Sequence, residues 1–268
     1  MKISCIIPTC DRPALLKESL QSILNQTVKP HEIIIVNNGS KEINLPSQQG
    51  LAIKIFNIIP YAGVAQARNF GACQADGEYL AFLDDDDLWN TFYLENIEKT
   101  IENKNELLLI SRLDKMENNK IVSHRKANLS NLTIPYVLKS NPGFNGSNIV
   151  ISKKLFFDLK GFDPKLPPSE DKALLLEALL KKIEIKTLPE NQVILRMYEG
   201  TPRLTESSKM AEGIFQFTRK YSHLMNWQQF FFNWKKIYRY RFKSGKKIMG
   251  INYLITNFLL KITTLINI

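Results

Sequence analysis

Long apolar runs, internal repeats and low-complexity tracts are all missing from these 268 residues, which argues against disorder and against a repeat array. Cysteine is scarce. Cys5, Cys10 and Cys73 are odd in number and fit no zinc-ligand spacing, so they read as reduced thiols of a cytosolic protein. The first apolar stretch is broken by Pro8 and Asp11, too early for a secretory signal. Common phosphate and nucleophile signatures are lacking too. There is no GxxxxGKS/T loop, no GxGxxG turn and no GxSxG elbow, and Gly63 and Gly71 stand alone. Acid is nearly absent from the last quarter: residues 201–268 hold twelve Lys and Arg against Glu206 and Glu212. Residues 1–200 balance 24 bases with 24 acids, so the net charge of +10 belongs to the C-terminal segment. That asymmetry marks an anionic partner, a membrane surface or a nucleic acid.

What is present is an alternation of short β-branched apolar runs with helix-period segments. The pattern predicts strands at 2–7, 32–37, 51–58 and 78–83, with helices at 14–26 and 63–75 between them. Further helices are expected at 91–103 and 169–182, and strands at 106–113 and 147–152. Gly and Pro cluster at 141–146 and 161–168, so the middle of the chain is rich in loops. Strands alternating with helices imply an α/β fold with a mostly parallel sheet covered on both faces.

In such sheets, ligands bind beyond the carboxyl ends of the strands. Three polar stretches fall there: PTCDR after the first strand, NNGS after the second and the acidic run FLDDDDLW after the fourth. Adjacent carboxylates repel by about 3 kcal/mol per pair at a spacing of about 5 Å and an effective dielectric of about 20. Either a loop spreads Asp84, Asp85, Asp86 and Asp87 into water or a cation sits among them. Carboxylates at that point suit a hard ion, Mg2+ or Mn2+, which takes its other ligands from water and phosphate. A second acidic pair, Glu170-Asp171, opens a helix. It is either helix-dipole complementation or a general base beside a reacting hydroxyl.

The order of these motifs resembles a known family. The stretches CIIPTCDRPALLKESLQSILNQTVKPHEIIIVNNGS, GVAQARNFGACQADGEYLAFLDDDDLW and GFDPKLPPSEDKALLLEAL are similar to GT-A glycosyltransferases of the large inverting family two, over residues 2–185. The resemblance implies a GT-A fold that binds a nucleotide-diphosphate sugar and ends in a helical, basic C-terminal extension. It suggests a catalytic domain at 1–200, with a nucleotide-sugar half (1–110) and an acceptor half (111–200), followed by the extension at 201–268. Pro8, Thr9, Asp11 and Arg12 lie where the family contacts the nucleotide. Asn38, followed by Gly39, takes the place of an aspartate that reads the uracil edge. NNGS departs there from the usual DDGS, so UDP is the expected carrier and another nucleotide the alternative. Arg68 and Asn69 match the ARN whose helix lines the donor pocket.

Read as LDxDD, the acidic run makes Asp84 and Asp86 the DXD pair for Mn2+ or Mg2+. Asp86 is then the direct ligand, with Asp84 toward the ribose or a metal-bound water. Asp85 counts with the nucleotide-binding set, and Asp85 and Asp87 are expected to face solvent or to stand behind the ligands. Asp171 matches the catalytic base of a single inverting displacement, with Glu170 orienting it or touching the acceptor. Relatives often carry a histidine after the last core strand. Here RMYEGTPRLT has none, and His223, Arg196 and Arg203 are left as candidates to neutralise phosphate.

The segment 235–247 carries seven bases with interleaved aromatics, and 248–266 is amphipathic but too polar to span a bilayer. Trp227, Trp234, Tyr238 and Tyr240 are types that sit at headgroup depth. The expectation is peripheral attachment through 227–268 to the inner face of a bacterial cell membrane, with a glycan or lipid-linked glycan as acceptor. Packing of the aromatic stripe on the catalytic domain or into an oligomer is the competing possibility. Nucleic acid is disfavoured, because no recognised binding module accompanies the charge. A non-catalytic nucleotide-sugar-binding or membrane-scaffold protein is the alternative to an enzyme.

Overall fold

The computed structural model describes residues 1–45, 50–101, 107–118, 120–125, 131–197, 207–243 and 256. Strands β1 (Ile3–Thr9) and β2 (Glu32–Asn37) are buried throughout, as central parallel strands require. β3 (Ala52–Asn57) is exposed or half-buried and forms an edge, while β4 (Tyr79–Phe82) is buried on the other side of β1. These four strands are parallel, with Ile6 opposite both Ile34 and Phe82.

Five more strands extend the sheet: β5 (Asp87–Trp89), β6 (Leu108–Glu117), β7 (Lys120–Arg125), β8 (Ile149–Ser152) and β9 (Ile185–Met197). Among the described residues the order is β3-β2-β1-β4-β8-β6-β9-β5, with β7 paired to β6. β8 is antiparallel to β4 and β6, and β9 runs parallel to β6. β5 and β7 pair antiparallel with β9 and β6.

Helices cover both faces. α1 (Pro13–Leu24) and α3 (Tyr93–Thr100) pack Leu16, Leu20, Ile23, Leu94 and Ile97 against Ile3, Cys5 and Ile7 of β1 and Ile33 and Ile35 of β2. The opposite face carries α2 (Val64–Gln74), α4 (Ile134–Lys139), α5 (Lys153–Asp158) and α6 (Glu170–Leu180). α2 is built of small residues because it lies directly on the sheet. A Cβ at Gly71 would stand 2.6 Å from Ile6 Cγ2.

The strand expected at 106–113 continues to Glu117, and the helix expected at 91–103 is regular only over Tyr93–Thr100. β5, β7, α4 and α5, all short, had no counterpart in the sequence pattern, and neither did the thirteen-residue β9.

The C-terminal extension supplies α7 (Ser207–Tyr221) and α8 (Trp227–Lys243). It docks on the body of the molecule. Gln229, Asn233 and Lys236 of α8 donate to the carbonyls of Pro135 (3.1 Å), Leu138 (2.9 Å) and Lys139 (2.7 Å), groups at or near the ends of α4. Ile237 and Asn233 are buried beneath α8, Trp234 stacks on Tyr238 at 5.5 Å, and Trp227 and Phe242 remain exposed. No helix among the described residues is long and apolar enough to cross a membrane. Residues 244–247 of the basic segment, and 248–266 apart from Thr256, lie outside the described residues.

Candidate active site

The acidic run leaves β4 in a turn, closed by the Asp87 amide on the Asp84 carbonyl at 3.1 Å, and its side chains divide. Asp84 and Asp86 are half-buried, whereas Asp85 is 0% exposed and Asp87 4%. Of the two expectations for Asp85 and Asp87, the structure gives a place behind the outward pair and not solvent exposure: both point inward and hold the loop. Asp85 accepts from Thr9 Oγ1 at 2.7 Å and pairs with Arg12 at 2.5 Å. Burial nevertheless pushes its carboxyl up to about 6. Asp87 accepts from Ser147 Oγ at 2.6 Å and from the Arg196 amide at 3.3 Å. Ser19, on the buried face of α1, donates to the carbonyls of Asp85 (2.8 Å) and Asp87 (2.7 Å).

Arg12 also reaches Asp86 at 3.0 Å, and burial of its guanidinium is outweighed by Asp85, Asp86 and Asp84, which raise its pKa. Asp84, Asp86 and Asp87 each offer a carboxylate oxygen, all within 4.8 Å of one another. This set of hard oxygens fits Mg2+ or Mn2+. All three are paired within the protein, Asp84 with Arg68 and Asp86 with Arg12, but only Asp84 and Asp86 keep surface open to the cleft, and this pair would hold such an ion.

Arg68 joins the two acidic stretches. Its guanidinium, 3% exposed, pairs with Asp84 at 2.5 Å and with Glu170 at 3.2 Å. A Cβ at Gly146 would stand 2.1 Å from Arg68 Nη2, so only glycine lets the 141–148 loop close over this group. Glu170 is 5% exposed, its Oε2 has no hydrogen-bond partner among the described residues, and burial raises its pKa although Arg68 opposes. Asp171 keeps part of its surface open and accepts the Lys172 amide at 2.6 Å. Desolvation, then the adjacent Glu170 charge, push its carboxyl up to about 7.

Asp84, Asp85, Asp86, Asp87, Glu170 and Asp171 line one cleft of about 840 Å³, with Pro8, Thr9, Arg12, Asn38 and Arg68. That is a volume suited to a small-molecule ligand. Other predicted residues stand elsewhere. Asn69 does not line the cleft: its amide donates to the Phe162 carbonyl (2.7 Å) and accepts the Phe162 amide (2.9 Å), which ties α2 to the loop before α6. Asp11 is also outside the lining and accepts from the Ser40 and Lys41 amides and from Tyr61 Oη, each at 2.8 Å. Those bonds, the Lys41 amide foremost, lower its pKa. Gly39 lies against Asp11, where a Cβ would approach Oδ1 to 2.5 Å. Asn38 Oδ1 accepts the Gly63 amide at 3.2 Å.

Of the phosphate-neutralising candidates, Arg196 is buried behind the acidic run, bonded to the Asp86 carbonyl at 2.8 Å and to Glu18. His223 sits exposed in a 3-10 turn outside the cleft, and Arg203 lies outside the described residues. Residues missed from the sequence are Asn145, Gly146, Lys115 and, from the extension, Lys209, Met210 and Tyr240. The Gly and Pro cluster flagged the 141–146 loop, but nothing local shows what it touches.

This sheet and cleft define the GT-A class of glycosyltransferase fold. Glycosyl transferase family 2 matches residues 4–160, and the chain belongs to that family. Uncharacterized glycosyltransferase YwdF of Bacillus subtilis is 38% identical over 105 residues, 38% of this chain and 39% of that protein. Uncharacterized glycosyltransferase RC0461 of Rickettsia conorii is 30% identical over 243 residues, 84% of this chain but 37% of that protein. The chain thus spans under half the length of these curated relatives. TarS 1–349 of S. aureus, solved in complex with UDP-GlcNAc, superposes with a TM-score of 0.64 at 17% identity, covering 90% of this chain and 81% of that one. The likeness to TarS is one of fold.

Proposed function

We propose that the chain transfers a sugar from a nucleotide-diphosphate donor, a UDP-sugar, to a hydroxyl of a glycan or lipid-linked glycan, with inversion at the anomeric carbon. The observation that carries this reading is the cleft that Asp84, Asp86 and Asp171 all line, with Arg68 joining Asp84 to Glu170, the neighbour of Asp171. Asp171 takes the acceptor proton as the hydroxyl oxygen bonds the anomeric carbon and the bond to the diphosphate breaks. A carboxyl raised to about 7 is matched to that task near neutrality. Glu170, committed to Arg68, orients the pair instead of accepting the proton. Mn2+ or Mg2+ on Asp84 and Asp86 would supply charge stabilisation for the departing diphosphate. Thr9, Arg12 and Asn38 line the donor end.

One observation admits a second donor. Asn38 Oδ1 accepts the Gly63 amide yet keeps a second lone pair, and its NH2 can donate, so the residue can meet a base edge of either sense. That admits cytosine, whose N3 accepts, beside uracil, whose N3–H donates. On this reading residues 1–110 serve the donor, 111–200 the acceptor, and 201–268 covers the acceptor side. Exposed Trp227, Phe242 and Arg239 on α8 support contact with the inner face of the cell membrane.

The test is a thermal-shift and hydrolysis screen of UDP- and CDP-sugars with and without Mn2+ and Mg2+. A metal-dependent shift and turnover with one nucleotide series is expected. If none of these nucleotide sugars shifts the melt or turns over with either metal, the proposal fails.

A further inference from the structure

Beyond Asp171 lies a second hollow of about 440 Å³, which shares Asn145, Pro168, Asp171, Met210 and Tyr240 with the first. Residues of α4, α6, α7 and α8 line it, so the C-terminal extension completes it. Its charges are one-sided. Lys139, Lys172 and Lys236 line it, and Asp171, at the junction, is the single carboxylate among its described lining residues.

Lys172 is 6% exposed, and among the described residues its ammonium has no acidic or hydrogen-bonding partner. It rests 3.3 Å from the centre of the Phe217 ring. Lys236 donates to the Lys139 carbonyl at 2.7 Å and to Ser140 Oγ at 3.4 Å, and it shares the Phe232 ring with Lys139. A buried ammonium with no bonded counter-ion is unfavourable, and the Lys236 charge adds repulsion. Burial, then Lys236, hold the Lys172 pKa well below the usual lysine range against the opposing pull of the Asp171 carboxylate, and Lys236 is itself lowered to about 8. These groups lack what a bound oxyanion would supply.

We infer that the second hollow is an acceptor subsite for an oxyanion, a phosphate or carboxylate that the acceptor carries beside the hydroxyl deprotonated by Asp171. The inference rests on the transferase reading of Asp171. It narrows the acceptor to an anionic one, and it assigns α7 and α8 to acceptor selection.

Titration calorimetry on the full chain tests it, with UDP and Mn2+ saturating so that the donor end is filled. The probes are glycerol 1-phosphate, glucuronic acid and glycerol. At least one anion should bind, and glycerol should bind at least about tenfold more weakly. Lys139→Gln and Lys236→Gln should each weaken the anion by about tenfold and leave UDP affinity unchanged. Lys172→Met should raise the melting temperature, since it removes an unpaired buried charge, and still lose anion binding. Lys99→Gln, at an exposed pair with Glu95, should change neither.

Binding of glycerol phosphate alone assigns a phosphate-bearing acceptor, and binding of glucuronate alone a uronate. If UDP binds but neither anion exceeds glycerol, or if the lysine variants bind the anion like wild type, the inference is overturned. Failure of both UDP and CDP to bind would instead strike the transferase reading, and the subsite with it.

Discussion

Four adjacent aspartates are tolerable because they divide by direction. The turn from Asp84 to Asp87 leaves Asp84 and Asp86 toward the cleft and sends Asp85 and Asp87 inward, where Thr9, Arg12, Ser147 and the Arg196 amide receive them. Arg68 is the counter-ion on which the site depends. Arg68→Met should destabilise the fold by about 3–5 kcal/mol, since it strands the buried Glu170, and urea unfolding measures this. Asp171 predicts a pH profile. With its carboxyl near 7, kcat/KM should rise with pH through about 7 and level off above. Asp171→Asn should remove that limb and lower kcat by about 10²- to 10⁴-fold, while calorimetry finds donor affinity intact. An unchanged rate in the variant would show that another group takes the proton.

At the scale of elements, two close approaches assemble the cleft. The loop before β8 folds under Arg68 only because Gly146 lacks a side chain. Gly146→Ala should swing the guanidinium off Asp84, lowering kcat by about 10²-fold by misalignment without changing far-UV circular dichroism. Gly213 lets α7 press on the loop that precedes α6, where a Cβ would sit 2.6 Å from Pro168 Cδ. Gly213→Ala should cost about 1–3 kcal/mol through overpacking, read by urea titration. The sequence marked residues 141–146 as a turn-rich stretch. It could not mark it as the cover of Arg68, because that contact joins residues 78 positions apart. Asn69 shows the reverse case: it sits in a recognisable ARN motif, and the one-residue step from Arg68 turns its side chain onto the Phe162 backbone.

For the whole molecule, the site opposes stability at neutral pH when no cation is bound. Asp85, Glu170 and Asp171 all titrate above their unfolded values, so the native chain holds more protons across the interval. Their contribution is fully present below the unfolded pKa values near 4. It is lost as pH rises through about 6 for Asp85 and about 7 for Asp171. The stability of Asp171→Asn relative to wild type should therefore increase over that window. The rise in melting temperature on adding Mn2+ should likewise be larger at about pH 8 than at about pH 5, because Asp85, Glu170 and Asp171 add negative charge around the cleft once they ionise. Equal Mn2+ shifts at both pH values would show that the ion does not bind near those groups.

The sequence by itself determined the alternating strands and helices, the acidic run after β4 and the acidic pair opening α6. These are local patterns, set by side-chain period and by what a strand end or first helical turn accepts. Only the tertiary structure decided which aspartates face the cleft, that Arg68 ties Asp84 to Glu170, and that Asn69 and Arg196 serve the scaffold. It also decided that the basic, aromatic extension docks on α4 and walls a second hollow. The composition of α8 suits a membrane face and a protein face equally. The choice fell to Gln229, Asn233 and Lys236, which meet carbonyls of the α4 segment that the sequence pattern had not marked.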